Sequence, residues 1–69
     1  MIILGIDPGL QCCGYAVVET GSGDDKLIEA GVFRTNSKKE LAERLCQIAG
    51  DITEILEKYQ PGLVAVEEL

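Results

Sequence analysis

The chain has 69 residues, of which 46% are hydrophobic and 26% charged; this composition is typical of one small globular domain and excludes a disordered or low-complexity chain. Twelve acidic residues against six basic ones give a formal net charge of −6, the wrong sign for a surface that binds nucleic acid through its own cations. The opening apolar run, residues 2–6, is too short to cross a bilayer and lacks the basic flank of a signal peptide, so we expect a cytoplasmic protein.

Three strands are predicted in the first half of the chain. Residues 2–6 are apolar at consecutive positions, which is typical of a strand buried on both faces. Residues 7–9, Asp-Pro-Gly, end this run with turn-forming side chains. Residues 14–19 predict a second strand and residues 27–34 a third. Short connections between them favour an antiparallel meander.

A long amphipathic helix follows the third strand. Ser37 and Glu40 have the spacing of a capping box, which predicts the start of the helix. An apolar stripe then recurs at alternating steps of four and three, at Leu41, Leu45, Ile48, Ile52, Ile55 and Tyr59. After the helix, Pro61-Gly62 and the apolar run over residues 63–66 predict a turn and a fourth strand.

The order β-β-β-α-β predicts an α/β fold with a mixed sheet. A helix that joins two strands of one sheet makes the last strand parallel to its neighbour, and the first strand is the apolar neighbour that fits. The helix would cover one face, and no second layer is present in these residues. We therefore expect residues 1–69 to be a portion of a longer single domain or to bury the other face against a second copy, and we favour both together.

Asp7 and Glu67 are the candidate site residues. Each follows an apolar strand directly, and parallel neighbours bring their carboxyl ends to one edge, roughly 5 Å apart. Two carboxylates without histidine or paired cysteine ligands form a hard oxygen site suited to Mg²⁺ or Mn²⁺. A bound cation would also bridge an acidic surface to phosphate. Alternatively, Asp7 is a turn residue and Glu67, like Glu68, a solvated strand end.

The sequence resembles the RuvC family of Holliday-junction resolvases over essentially its whole length. The residues that carry the resemblance are Ile3-Leu4-Gly5-Ile6-Asp7-Pro8-Gly9-Leu10, Gly14-Tyr15-Ala16-Val17-Val18, the helical Leu41, Arg44, Leu45 and Ile48, Gln60-Pro61 and Ala65-Val66-Glu67. The resemblance implies an RNase H-like fold with helices on both faces of a five-stranded sheet. Asp7 and Glu67 match the first two of four catalytic, metal-binding carboxylates, whereas the other two lie beyond this sequence, and Glu68 has no assigned role.

The family resemblance also implies an activity and partners. Members act in DNA recombination and repair as homodimeric, Mg²⁺-dependent endonucleases (Mn²⁺ can substitute) that cut four-way junctions by phosphodiester hydrolysis. The partners implied are junction DNA, a second copy of the chain, and the junction-binding and branch-migration proteins RuvA and RuvB. The family's basic DNA-contacting surface lies mostly outside these residues. Because this chain carries only two of the four carboxylates that the resemblance implies, we expect the chain alone to be inactive.

Three alternatives remain open at this stage. A YqgF-type RNase H-like nuclease would share the first strand and its acid, but usually continues with an arginine-containing turn that is missing here. An actin-like or sugar-kinase ATPase would also begin with an apolar strand and Asp-x-Gly, yet would follow it with phosphate-binding Ser or Thr, where residues 10–13 are Leu-Gln-Cys-Cys. The third alternative is a non-catalytic fragment that self-associates through its uncovered sheet.

Overall fold

A computed structural model describes residues 1–9, 12–21 and 23–67. The elements follow the order β-β-β-α-β that the sequence predicts. Their bounds are β1 (Ile2–Asp7), β2 (Cys12–Glu19), β3 (Lys26–Arg34), α1 (Leu41–Tyr59) and β4 (Leu63–Val66).

The four strands form one mixed sheet in the order β3-β2-β1-β4. β1 pairs antiparallel with β2, and β2 pairs antiparallel with β3, so the predicted meander is confirmed. β4 pairs with the other side of β1 and runs parallel to it. The predicted place of the last strand beside the first is therefore confirmed, and β1 lies in the interior of the sheet.

The core lies between the sheet and α1. Leu4 of β1, Val17 of β2 and Ile55 of α1 form a buried cluster, because the β1–β2 register places Leu4 opposite Val17. The partly buried hydrophobics around this cluster are Ile2, Ile6, Tyr15, Phe33 and Tyr59. One face of β1–β3 is thus covered by the apolar stripe of the helix, as predicted.

The start of α1 differs from the predicted capping box. Glu40 itself occupies the N-cap position with extended backbone, and no side chain caps the helix there. The preceding turn is organised by Asn36, whose side-chain oxygen accepts a 2.9 Å hydrogen bond from the amide of Lys38. Asn36 competes well for a nearby amide in this non-helical turn, so the capping prediction on Ser37 was wrong although the predicted helix is present.

The helix packs less closely toward its N-terminal end. Ile55 is buried, whereas Leu45 is 52% exposed and Leu41 56%. A groove between the helix and the sheet opens at this end, lined by Ile6, Pro8, Gly9, Cys13, Leu45, Ile48, Ile52 and Val66. The helix covers β1–β3 but leaves β4 exposed along its length.

The face of the sheet opposite α1 carries small side chains at its centre. We call this the open face, because no other described element lies on it. Its central positions are Gly5 of β1, Ala16 of β2 and Ala65 of β4, which are register partners in neighbouring strands. Small residues make the open face shallow beside the carboxyl ends of β1 and β4.

Candidate metal centre

The two candidate carboxylates follow neighbouring parallel strands in register. Ile6 pairs with Val66, and the amide of Glu67 donates a 2.9 Å hydrogen bond to the carbonyl oxygen of Ile6. Asp7 and Glu67 are the next residues of the two strands. Neighbouring strands lie about 4.8 Å apart, so the structure brings the backbones of these two residues side by side at one edge of the sheet.

Both carboxylates lie on the open face. Side chains alternate between the faces along a strand, and Leu4 and Ile6 of β1 face the core under α1. Asp7 is therefore directed to the other face, opposite Gly14 of β2. A β-carbon placed on Gly14 would lie 3.7 Å from the β-carbon of Asp7. The glycine thus leaves the side of Asp7 that faces β2 without a neighbouring side chain.

A shallow depression connects the two acids across this face. Its lining comprises Gly5, Ile6, Asp7, Gly14, Tyr15, Ala16, Gly31, Ala65, Val66 and Glu67. Asp7 and Glu67 are both exposed to solvent. No hydrogen bond or ion pair links either carboxylate to another residue within 1–9, 12–21 and 23–67. Their oxygens are consequently available to an external ligand.

The turn that follows Asp7 has little room for side chains. A β-carbon on Gly9 would collide with the carbonyl oxygen of Cys12, the first residue of β2. The absence of a side chain at Gly9 allows the chain to turn closely past the start of the next strand. Gly9 therefore helps to fix the backbone two residues beyond the candidate ligand.

The donor set partly fits a divalent cation. Mg²⁺ in proteins is commonly held by one or two carboxylates together with water and substrate phosphates, and Asp7 and Glu67 provide two such groups. Within the part of the chain that the structure describes, no cluster of three or more acidic, histidine or cysteine side chains is present. The pair thus suits an open site that is completed by water, substrate or further ligands.

A second polar cluster, which the sequence analysis did not identify, lies under the helix. The carboxylate of Glu29 in β3 accepts hydrogen bonds from the hydroxyls of Tyr15, at 2.6 Å, and Tyr59, at 2.5 Å. Lys58 lies 3.4 Å from the same carboxylate. The hydrogen bond from Tyr15 is the main reason that the pKa of Glu29 is lowered, and this bond to Glu29 likewise raises the pKa of Tyr15.

This Glu29 cluster connects the C-terminal end of α1 to strands β2 and β3 of the sheet. Its signal in the sequence is a single glutamate among the apolar residues between the two ends of β3. A bulge at Val17/Val18 sets the register that places Glu29 opposite Val17. Bulges shift every later side chain relative to its partners, so the sequence pattern does not reveal this convergence.

The fold and the acid pair define an RNase H-like sheet with carboxylates at the ends of its two parallel strands. Comparison with known proteins identifies the group within that class. The family profile described as "Crossover junction endodeoxyribonuclease RuvC" matches residues 3–69. The chain therefore belongs to the RuvC family.

Individual relatives agree with this assignment. The crossover junction endodeoxyribonuclease RuvC of Prochlorococcus marinus (strain MIT 9313) is 40% identical over 68 residues, and that of Chelativorans sp. (strain BNC1) is 48% identical over 65 residues. These alignments cover 99% and 94% of this chain but 44% and 38% of the relatives. The chain thus spans less than half the length of the curated relatives it matches.

Solved structures show the same fold. A structure described as T. thermophilus RuvC in complex with Holliday junction substrate matches with a TM-score of 0.92 and 31% identity, over 100% of this chain and 44% of that one. The Aquifex aeolicus PPX-GPPA enzyme matches with a TM-score of 0.75 and 13% identity, over 96% of this chain and 25% of that one. The second likeness concerns the fold alone. Membership of the RuvC family decides against the YqgF-type and ATPase alternatives.

Among the described residues, the helix is too polar to cross a membrane, and no other helix is present that could do so.

Proposed function

We propose that the protein containing this chain resolves four-way DNA junctions by metal-dependent hydrolysis of phosphodiester bonds, in recombination and repair. The observation that carries the proposal is the register of β1 and β4, which brings Asp7 and Glu67 together on the open face. Family membership supplies the reaction class, since the relatives are described as crossover junction endodeoxyribonucleases. The junction-bound Thermus relative supports the substrate.

In this proposal Asp7 and Glu67 are catalytic residues that hold Mg²⁺, with Mn²⁺ as a substitute. When bound, a divalent ion would supply a Lewis acid that activates water and neutralises charge on the phosphate. The two rigid strands fix the backbones of both acids, so the carboxylates are positioned before substrate arrives. The shallow, small-residue surface of the open face leaves room for a phosphate group beside them.

The remaining components of the proposal rest on the family resemblance. Residues 1–69 would be the N-terminal portion of one RNase H-like domain, and further carboxylates and most of the DNA-contacting surface would lie elsewhere in the protein. The whole protein would act as a homodimer together with RuvA and RuvB, in the bacterial cytoplasm. The 69-residue chain alone would then bind metal weakly and leave junctions uncut.

The experiment is cleavage of a labelled four-way junction with Mg²⁺ by the protein at its natural length. We expect paired, symmetric nicks, and a rate at least about a hundredfold lower for Asp7→Asn and for Glu67→Gln, because losing a direct ligand should cost at least as much as losing a residue that orients one. Glu19→Gln is the matched control, since this exposed carboxylate lies at the opposite end of β1's partner strand. Intact junctions with the unmodified protein, or full activity in Asp7→Asn, would contradict the proposal.

A further inference from the structure

Positive charge is concentrated in one segment of this acidic chain. Residues 34–44 contain four of the six basic residues, Arg34, Lys38, Lys39 and Arg44, but two of the twelve acidic ones. This basic segment has a net charge of +2, whereas the remainder of the chain carries −8. A local field of this kind attracts polyanions even when the whole molecule is acidic.

The topology places the basic segment at the same edge of the sheet as the candidate metal centre. β1 and β3 are both antiparallel to β2 and therefore run in the same direction, so Asp7 and Arg34 end their strands at one edge. Arg34 pairs with Cys12, two residues along β2 from the Gly14 that pairs with Asp7. This even spacing puts Arg34 on the open face together with Asp7.

The separation between Arg34 and Asp7 suits two phosphates that lie a few nucleotides apart on one nucleic-acid strand. Two strand spacings of about 4.8 Å and two residues of about 3.4 Å along the strand put their α-carbons roughly 12 Å apart. That distance corresponds to about three to four nucleotides at roughly 3.4 Å of rise for each phosphate of a strand. A strand whose phosphate lies at the carboxylates would thus extend over the basic segment.

Hydrogen bonds to α1 hold the basic segment in place while Arg34, Lys38 and Lys39 remain exposed. The side-chain amide of Gln47 donates a 3.0 Å hydrogen bond to the carbonyl oxygen of Arg34, and Arg44 Nε donates a 3.1 Å bond to Thr35 Oγ1. Lys38 and Lys39 are exposed in the turn organised by Asn36.

The charges of the two lysines and of Arg34 are also not neutralised by ion pairs. The ion pair present within the described part of the chain joins Lys58 to Glu29, at the opposite end of α1. Arg34, Lys38 and Lys39 have no such partner there. The start of α1 at Leu41, which has no side-chain cap, adds the positive end of the helix dipole to this region.

We propose that the basic segment binds backbone phosphates of the same DNA strand that is cut at Asp7 and Glu67. Arg34, Lys38 and Lys39 are the contacts, and Arg44 is a positioning residue that acts through Thr35. The inference rests on the proposed function for its ligand. The inference means that this chain itself contributes to DNA binding, although its overall charge of −6 is unfavourable for contact with phosphates.

The test compares two double variants that remove equal charge from exposed lysines. Lys38→Gln/Lys39→Gln changes the basic segment. Lys26→Gln/Lys58→Gln changes one lysine at the opposite edge of the sheet and one at the opposite end of α1. Binding of the natural-length protein to a four-way junction is measured in EDTA over a series of salt concentrations. We expect the slope of log K against log[salt] to become shallower by about 1.4–1.8 in the first variant, since each phosphate contact contributes about 0.7–0.9, and to stay unchanged in the second.

Equal slopes for the two double variants would overturn the inference. Lys38→Arg/Lys39→Arg keeps the charge, and its slope should equal that of the unmodified protein; a slope as shallow as that of the glutamine variant would also overturn it. Thermal unfolding confirms that each variant is folded. Cleavage is measured separately with Mg²⁺, so a protein that binds through the basic segment but does not cut would contradict the proposed function and leave this inference supported.

Discussion

The face of the sheet under α1 and the open face are built from different side chains, although they share the same strands. Under the helix, Leu4 and Val17 are 1% and 0% exposed, and their burial stabilises the fold. On the open face the corresponding positions hold Gly5 and Ala16, with Asp7 at the edge. Alternation along β1 therefore places the buried, stabilising side chains on one face of the sheet and the candidate metal ligand Asp7 on the other.

The largest expected effect on stability comes from truncating a valine under the helix, compared with truncating a valine on the open face. Val17→Ala in the 69-residue chain should lower the free energy of unfolding by roughly 1.5–3 kcal/mol, because two buried methyl groups leave a cavity. Val32→Ala should cost less than about 1 kcal/mol, because Val32 lies on the open face and is 46% exposed. Urea denaturation of the two variants provides the measurement.

The unfolding free energies of the same two valine variants can also be compared in the natural-length protein. If further structure covers the open face, Val32→Ala should become nearly as costly there as Val17→Ala. A cost for Val32→Ala that equals that of Val17→Ala already in the 69-residue chain would contradict the distinction between the faces.

A smaller effect is expected from the Glu29 cluster, through pH. The pKa of Glu29 is lowered from its ordinary value of 4.5, chiefly by the hydrogen bond from Tyr15 and then by that from Tyr59. Because the folded state binds this proton more weakly than the unfolded state, the stabilisation is present above the ordinary pKa and is lost as pH falls through the lowered one.

Urea midpoints measured from neutral pH to about pH 3 test this linkage. Glu29→Gln should flatten the acid limb of the stability curve. Glu19→Gln should retain it, because Glu19 is exposed and its carboxylate makes no hydrogen bond or ion pair with the described residues. An acid limb that is unchanged in Glu29→Gln would show that the cluster does not couple folding to protonation.

Much of the fold could be predicted because apolar runs and helical periodicity determine which elements form. The consecutive apolar residues of β1 and β4 predicted two neighbouring strands, and the helix between them required these strands to be parallel. Within the described residues β1 lies in the interior of the sheet and β4 at its edge. That reasoning also predicted the adjacency of Asp7 and Glu67, which the register confirms. Their role as metal ligands stays a prediction.

Side-chain convergence between distant segments could not be predicted. The bulge between Val17 and Val18 determines which β3 residues face the helix, and a shift of one residue would have turned Glu29 away from Tyr15. The capping box failed for a related reason, since Asn36 and Ser37 both suit a turn and sequence spacing does not decide between them.

Metal affinity of the 69-residue chain tests the central claim most directly. The account predicts that Asp7→Asn and Glu67→Gln each weaken Mn²⁺ binding, measured by calorimetry or electron paramagnetic resonance, at least about tenfold, whereas Glu19→Gln leaves the affinity unchanged. Equal weakening by all three variants would mean that Mn²⁺ responds to the overall negative charge of the chain, and would contradict a metal centre formed by the ends of β1 and β4.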